Sequence, residues 1–182
     1  MSILDSVRNL FNKDKKNAIG QRSSRLQRQF VNLKDAKSLV FIVNRAVLSG
    51  EDISVLREYI KSCKKHNQTV SVIEICRDSK AVCIFRQETN TIFIDKKGVN
   101  WLDFPIETIE RQLLQVKADI LINFDHSPRH TSHYVSGLIE AKTRAGFHIE
   151  GFEGFYEIML SHNTPLPMRS LIPQFENFLK MV

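Results

Sequence analysis

Cysteine is scarce in this chain: there are three, Cys63, Cys76 and Cys83, and no two form a CxxC pair. An odd, scattered set excludes a disulfide framework and the common zinc signatures. All three fall in segments that read as core elements, so reduced, buried thiols are expected. No apolar run approaches the roughly 18 residues that a membrane-spanning helix requires. The N-terminal MSILDSVRNLF has no basic stretch before its apolar residues and no small-residue cleavage site, which excludes a secretory leader and sets a cytoplasmic location as the expectation. With 7 glycines and 5 prolines the chain is too poor in both for a fibre or a disordered tract. Neither GxGxxG nor GxxxxGKS/T occurs. The backbone geometry that wraps a dinucleotide or a triphosphate is therefore missing, and no cofactor is expected.

What is present fits one globular domain. The length is 182 residues, with 42% hydrophobic and 25% charged side chains, enough for a single core. The charge is unevenly placed. Residues 1–37 carry nine Lys or Arg against three Asp, while the remainder balances 17 of each sign, so the whole net charge of +6 resides in the N-terminal segment. Such asymmetry points to an acidic partner such as nucleic acid or an anionic membrane, with a merely solvated terminus as the alternative.

Residues 1–36 read as a basic helical arm and residues 37–182 as the domain. In the arm, Ile3, Leu4, Val7, Leu10 and Phe11 share one face of a short helix over residues 2–12, with Ser2 and Asp5 spaced as a capping box. A second helical stretch, about residues 18–31, aligns Ile19, Leu26 and Phe30 and places Arg22, Arg25 and Arg28 along its flank.

From residue 38 the pattern changes. SLVFIV (38–43) is a continuous, β-branched apolar run, the mark of a strand buried on both faces of a parallel sheet, and TVSVIEIC (69–76) and DILINF (119–124) read as a second strand and another buried one. AVCIFR (81–86), TIFI (91–94) and FYEIML (155–160) are weaker strand candidates. Amphipathic helices are expected after Gly50, after Pro105, from Ser127 to about Lys142 and at the C-terminus, with Pro173 in the last helix's first turn and a turn at Gly146. Alternating strands and helices predict an α/β, three-layer Rossmann-like sandwich with a mostly parallel sheet.

In such a sheet, ligands bind beyond the C-terminal strand ends where the strand order reverses. Asn44 follows the first strand, and Asn123, Asp125, His126 and Ser127 follow the central one, leading to His133. Asn44, Asp125, Ser127 and His133 are the candidate ligand-binding residues. Asp125 with Ser132 and His133 resembles an acid/base set, but an Asp between a strand and a helix is the usual local cap, so no catalytic residue is assigned. His126, His130 and His133 match no strong metal spacing, and no metal is expected. Trp101 reads as a loop anchor. In the arm, Lys13, Lys15, Lys16, Arg22, Arg25 and Arg28 are candidate contacts to an acidic partner. Phosphate contact fits them and sequence-specific reading does not, because Phe11 and Phe30 lie on apolar faces.

FIDKKGVNWLDFP, DILINFD, HYVSGLIEAKTRAGFH and FYEIML together resemble an uncharacterised family of short proteins known mainly from Bacteroidetes. The resemblance covers roughly residues 38–182, and KKGVNW and HYVSGLIEAKTRAG are its most specific pieces. It implies a conventional α/β fold and supplies no activity. The central strand, the helix and the turn Arg144-Ala145-Gly146-Phe147 are also similar to the N-terminal Rossmann half of heptosyltransferase-type glycosyltransferases, a resemblance that bears on fold.

Two functions are compatible with these features. One is a non-catalytic binding or adaptor protein whose basic arm contacts an acidic partner: RNA or the ribosome, a membrane surface, or an acidic protein. The other is a small enzyme or ligand sensor with a pocket at the strand C-terminal ends.

Overall fold

The structure, a computed structural model, describes residues 14, 17–21, 29–127, 130–161 and 166–181. Among them, six strands form one sheet in which every neighbouring pair is parallel. They are β1 (Ser38–Asn44), β2 (Thr69–Ile75), β3 (Asn90–Ile94), β4 (Lys117–Asn123), β5 (Glu140–Phe147) and β6 (Ile158–Leu160), in the spatial order β3-β2-β1-β4-β5-β6. Helices α1 (Gly50–Lys65), α2 (Glu107–Leu113), α3 (Thr131–Leu138) and α4 (Met168–Met181) flank the sheet. This is the strand order of a Rossmann-like α/β fold. Among the described residues no helix is long and apolar enough to cross a membrane.

The unbroken apolar run of β1 has a direct structural cause. Leu39, Phe41 and Val43 join Leu56 and Ile60 of α1 and Leu171 and Phe175 of α4 in one cluster. Val40 and Ile42, pointing the other way, join Tyr134, Val135 and Leu138 of α3 in a second cluster. A central strand covered by helices on both faces has no place for a solvent-facing residue.

Local chemistry fixes where α1 begins and ends. The Ser49 hydroxyl accepts from the Asp52 N–H at 3.1 Å while Asp52 Oδ2 accepts from the Ser49 N–H at 3.0 Å, a complete capping box. Asp52 Oδ1 also accepts from the Met168 N–H at 2.7 Å, which ties the start of α4 to the start of α1. At the other end Asn67 adopts φ 61°. The Asn67 and Gln68 N–H groups donate back to Lys64 and Cys63, closing a Schellman turn with asparagine in the place glycine usually takes.

Several expected elements differ. AVCIFR is not a strand: residues 76–89 form the crossover between β2 and β3, in which Phe85 is fully buried in the core while Val82 is exposed. The helix expected from Ser127 to Lys142 is confined to α3. Residues 140–147 form β5 instead, because the backbone there pairs in parallel with β4. Gly146 therefore sits in a strand and not in a turn. Its requirement is close approach, since a Cβ there would lie 2.5 Å from Tyr156 Cε1. FYEIML begins on the last residue of a 3-10 turn, Glu153–Phe155, and only its last three residues form a strand, β6. Pro173 is the sixth residue of α4, past the first turn, where its exposed position leaves the freed carbonyl within reach of water. Trp101 is 61% exposed, and the loop anchor is its neighbour Phe104, fully buried.

The described part of residues 1–36 is docked on the domain. Ile19 is buried in the α3-side cluster, and a Cβ on Gly137 would lie 2.4 Å from its Cγ2. The Gln29 N–H donates to the Lys142 carbonyl and the Val31 N–H to Thr143 Oγ1, while Leu33 and Ala36 are core residues.

At the N-terminal strand ends Asp119 fastens three strands. Its Oδ2 accepts from the Lys37 N–H at 2.8 Å and the Ser38 N–H at 3.1 Å, and its Oδ1 from Lys142 Nζ at 2.8 Å. Burial acts to raise its pKa, but these donors outweigh it and hold the carboxyl down at about 2. A carboxyl depressed from its unfolded value near 4 adds stability above that value, and loses it as pH falls towards 2. Asp119→Asn is expected to lower unfolding free energy by about 1–2 kcal/mol at neutral pH. In urea titrations across a pH series the difference from the parent chain should shrink between about pH 4 and 2; a constant difference would refute the assignment.

Candidate functional site

The reversal of strand order falls between β1 and β4, so the C-terminal ends of these strands define the candidate site. Asn44 closes β1 and Asn123 closes β4. Period-two alternation puts Asn44 on the face of Val40 and Ile42, and puts Asn123 and Asp125 on the face of Leu121, so all three face the α3 layer.

Asn44 Nδ2 donates to Asp125 Oδ2 at 3.1 Å and approaches Ser127 Oγ at 3.5 Å, while its Oδ1 accepts from the Ala46 N–H at 3.0 Å. Asp125 Oδ1 accepts from the Ser127 N–H at 2.9 Å. The Asp125 N–H donates to Asn123 Oδ1 at 2.9 Å, which passes the chain of contacts inward. Asn123 Nδ2 then donates to the Tyr156 hydroxyl at 2.8 Å and to Ser136 Oγ at 3.2 Å. The Tyr156 hydroxyl lies 2.7 Å from His133 Nδ1 and 3.1 Å from Ser136 Oγ, which itself donates to the Ser132 carbonyl. The phenol carries a single proton and can donate to only one of these two neighbours.

The four residues expected at the strand ends are thus brought into one network, at two depths. Asn44, Asp125 and Ser127 form its outer part. His133 is fully buried, and is linked to the other three through Tyr156 and Asn123. Asp125 was expected to cap a helix beginning near Ser127. It caps the turn at Ser127 instead, because α3 begins at Thr131, with no side-chain cap from His130. His130 is exposed, its ring 5.1 Å from that of Phe152 and remote in role from buried His133. Among the described residues no group of three or more His, Cys, Asp or Glu is arranged to hold a metal. Lys13, Lys15, Lys16, Arg22, Arg25 and Arg28 lie outside the described residues.

Sequence reasoning missed three participants. Tyr156 and Ser136 join the network described above, and the only hint of them is a polar atom inside apolar segments. Burial pushes the Tyr156 phenol above its ordinary value against the hydrogen bonds of Ser136 and Asn123, so it stays protonated as a donor. Glu74, fully buried at the end of β2, accepts from the Ile84 N–H at 2.9 Å and faces Arg45 Nη1 at 3.5 Å. Arg45 also donates to the Val82 carbonyl at 2.9 Å, so this pair pins the β2–β3 crossover. A second buried pair, Arg144 with Glu157, joins β5 to the approach to β6 at 3.1 Å.

An all-parallel doubly wound sheet whose strand-end crevice is crossed by side-chain hydrogen bonds defines the class: a Rossmann-like α/β domain. The chain belongs to the Family of unknown function (DUF6913), whose match spans residues 7–182 and so takes in most of the basic segment. No curated protein matches it. Among solved structures it is similar to the glycosyl transferase family 9 from Veillonella parvula DSM 2008, with 16% sequence identity and a TM-score of 0.45. The similarity covers 76% of this chain and 37% of that one, so this chain spans little more than a third of that protein's length.

Tyr156→Phe removes the hydroxyl on which Asn123 Nδ2 and His133 Nδ1 converge. The expected cost is about 1–3 kcal/mol in urea denaturation, the penalty for leaving buried polar groups short of a partner. A variant as stable as the parent would show that the network is dispensable.

Proposed function

We propose that this chain is a non-catalytic binding protein that brings a cationic N-terminal segment, carried on a charge-balanced domain, to RNA, free or within the ribosome. The observation that carries the reading is where unmatched charge resides. Residues 1–37 hold the entire net charge of +6. In residues 38–182 the 17 Lys or Arg are balanced in number by 17 Asp or Glu, and several are met directly: Arg45 by Glu74, Arg57 by Glu88, Arg77 by Asp103, Lys117 by Glu140, Lys142 by Asp119 and Arg144 by Glu157. Balanced pairs leave little long-range field, so an incoming polyanion is steered by the unmatched segment.

The strand ends support the same reading. The polar atoms of Asn44 and Asp125, which a substrate would need, are engaged with each other and with the adjacent backbone. Tyr156 is held protonated and is no general base.

The test is a salt series of single-stranded RNA binding followed by fluorescence anisotropy. The comparison is with a full-length variant carrying Lys13→Gln, Lys15→Gln, Lys16→Gln, Arg22→Gln, Arg25→Gln and Arg28→Gln. Each phosphate contact contributes about 0.7 to the slope of log K against log salt, so losing six should flatten it by about 4. An unchanged slope in the variant would reject the role of these residues. Binding to anionic vesicles without binding to RNA would move the partner to a membrane surface and reject the RNA assignment. Removing residues 1–36 is not an equivalent experiment, since it also strips Ile19, Leu33 and Ala36 from the core.

A further inference from the structure

Phe30 reads in sequence as part of an apolar helix face, yet it is 63% exposed. It belongs to a stretch that crosses from β5 to the C-terminal end of α4. At β5 the Gln29 N–H donates to the Lys142 carbonyl at 3.1 Å, and the Thr143 hydroxyl donates to the Gln29 carbonyl at 2.6 Å while accepting from the Val31 N–H at 2.8 Å. At α4 the Leu33 N–H donates to the Leu179 carbonyl and Asn32 Nδ2 to the Lys180 carbonyl, both at 2.9 Å. Val31 packs on the core, and Phe30, between two bonded residues, is held in solvent.

One exposed ring would need no explanation. The second is Phe178 of α4, 44% exposed. With roughly 3.6 residues per turn, Glu176 and Lys180 flank the buried stripe of Leu171, Phe175 and Leu179 on the side of Tyr59 in α1, and Phe178 flanks it on the other. That other side is the side of β5, because α1 covers β2 and β5 lies beyond β1 and β4 from it. Phe30 and Phe178 therefore stand on the same flank of α4, away from the strand-end network.

The charge beside them selects the partner. Residues 15–34, the run that leads to Phe30 and past it, hold six Lys or Arg and no Asp or Glu. A polyanion is attracted there. Single-stranded nucleic acid is a polyanion that also carries planar bases, whose faces stack on aromatic rings. A lipid surface would be met by a continuous apolar face, whereas the residues beside Phe30 include polar Gln29 and Asn32.

We propose that Phe30 and Phe178 are stacking residues for the bases of single-stranded RNA whose phosphates the cationic segment attracts. The proposal rests on the RNA-binding reading and adds to it the bases, which phosphate contacts do not sense.

Fluorescence anisotropy of the full-length protein with labelled oligoadenylate, and with an abasic ribose-phosphate oligomer of the same length, tests it. The abasic oligomer is expected to bind at least about tenfold more weakly. Phe30→Ala and Phe178→Ala truncate exposed side chains, so both should fold. Each is expected to weaken oligoadenylate about tenfold, while the affinity for the abasic oligomer and the slope of log K against log salt stay at the parent values, since no charge is lost. Phe30→Trp and Phe178→Trp keep a stacking face and should retain the parent affinity. Trp101→Ala removes another exposed ring, beyond the C-terminal end of β3, and should change nothing. Alanine variants that bind oligoadenylate like the parent, or an abasic oligomer bound as tightly as oligoadenylate, would overturn the stacking role and leave the RNA-binding reading standing. A parent chain that binds neither oligomer would overturn both. Loss of anionic-vesicle binding in the alanine variants at unchanged RNA affinity would make the rings a lipid contact and likewise overturn the proposal.

Discussion

In this strand order the connections leave β1 and β4 in opposite directions, and a gap opens beyond their C-terminal ends. What fills that gap decides what the fold can do, and here it is bridged by protein. Asp125, 1% exposed, would be costly as a buried carboxylate without donors. Asn44 Nδ2 and the Ser127 N–H supply one for each oxygen, and Asn44 is itself fixed by the Ala46 N–H. Asn123, two residues back on the same face, carries the constraint to Tyr156, Ser136 and His133. A break at Asn44 or Asn123 would leave several buried polar groups unmatched together, which is why such a network specifies one arrangement of α3 on the sheet.

The flanks of the sheet are held by charge in the same way. β6 pairs only three residues with β5, too few to fix a register by backbone bonds alone. Glu157, just before it, takes the Arg144 N–H and guanidinium on its two oxygens and donates its own N–H to the Arg144 carbonyl. Buried ion pairs add little net stability because desolvation offsets attraction, but they disfavour every register that separates the partners. Glu74 does the equivalent on the other side, where the connection to β3 lacks a helix and depends on the carboxylate for its course. Gly146 belongs to this design: the Tyr156 ring that completes the central network lies across its Cα.

Sequence made the centre of this fold legible and its edges much less so. β1 is an almost unbroken apolar run and β2 and β4 are predominantly apolar because both their faces are covered, and burial on both faces leaves that pattern in the sequence. β5 was hidden because Glu140, Lys142 and Arg144 give it a polar appearance. Glu140 and Lys142 lie at its exposed start, and Arg144 is buried only because Glu157 is there to receive it. That partner is 13 residues away, a distance no local periodicity spans. The candidate site was readable in part for a related reason. Asn44, Asp125 and Ser127 stand where the strand-end rule places ligand-facing residues, whereas Tyr156 and Ser136 look like ordinary core and surface positions until the sheet brings them against Asn123.

Lys34 joins the two electrostatic features of the molecule. It belongs to the cation-rich first 37 residues, and it stands against the charge-balanced domain, beside the C-terminal ends of α1 and α4. The adjoining backbone cannot drift away: the Leu33 N–H donates to the Leu179 carbonyl of α4, Asn32 Nδ2 to the Lys180 carbonyl, and Gln68 Nε2 to the Leu33 carbonyl from beyond α1. One short stretch is thus held by α4 and by the segment entering β2. At physiological ionic strength fields between exposed charges fade over about 8 Å, so a cation acts only on what is brought near it. Holding Lys34 against the domain therefore confines its field to that stretch of surface, where the same charge on a loose terminus would not be confined.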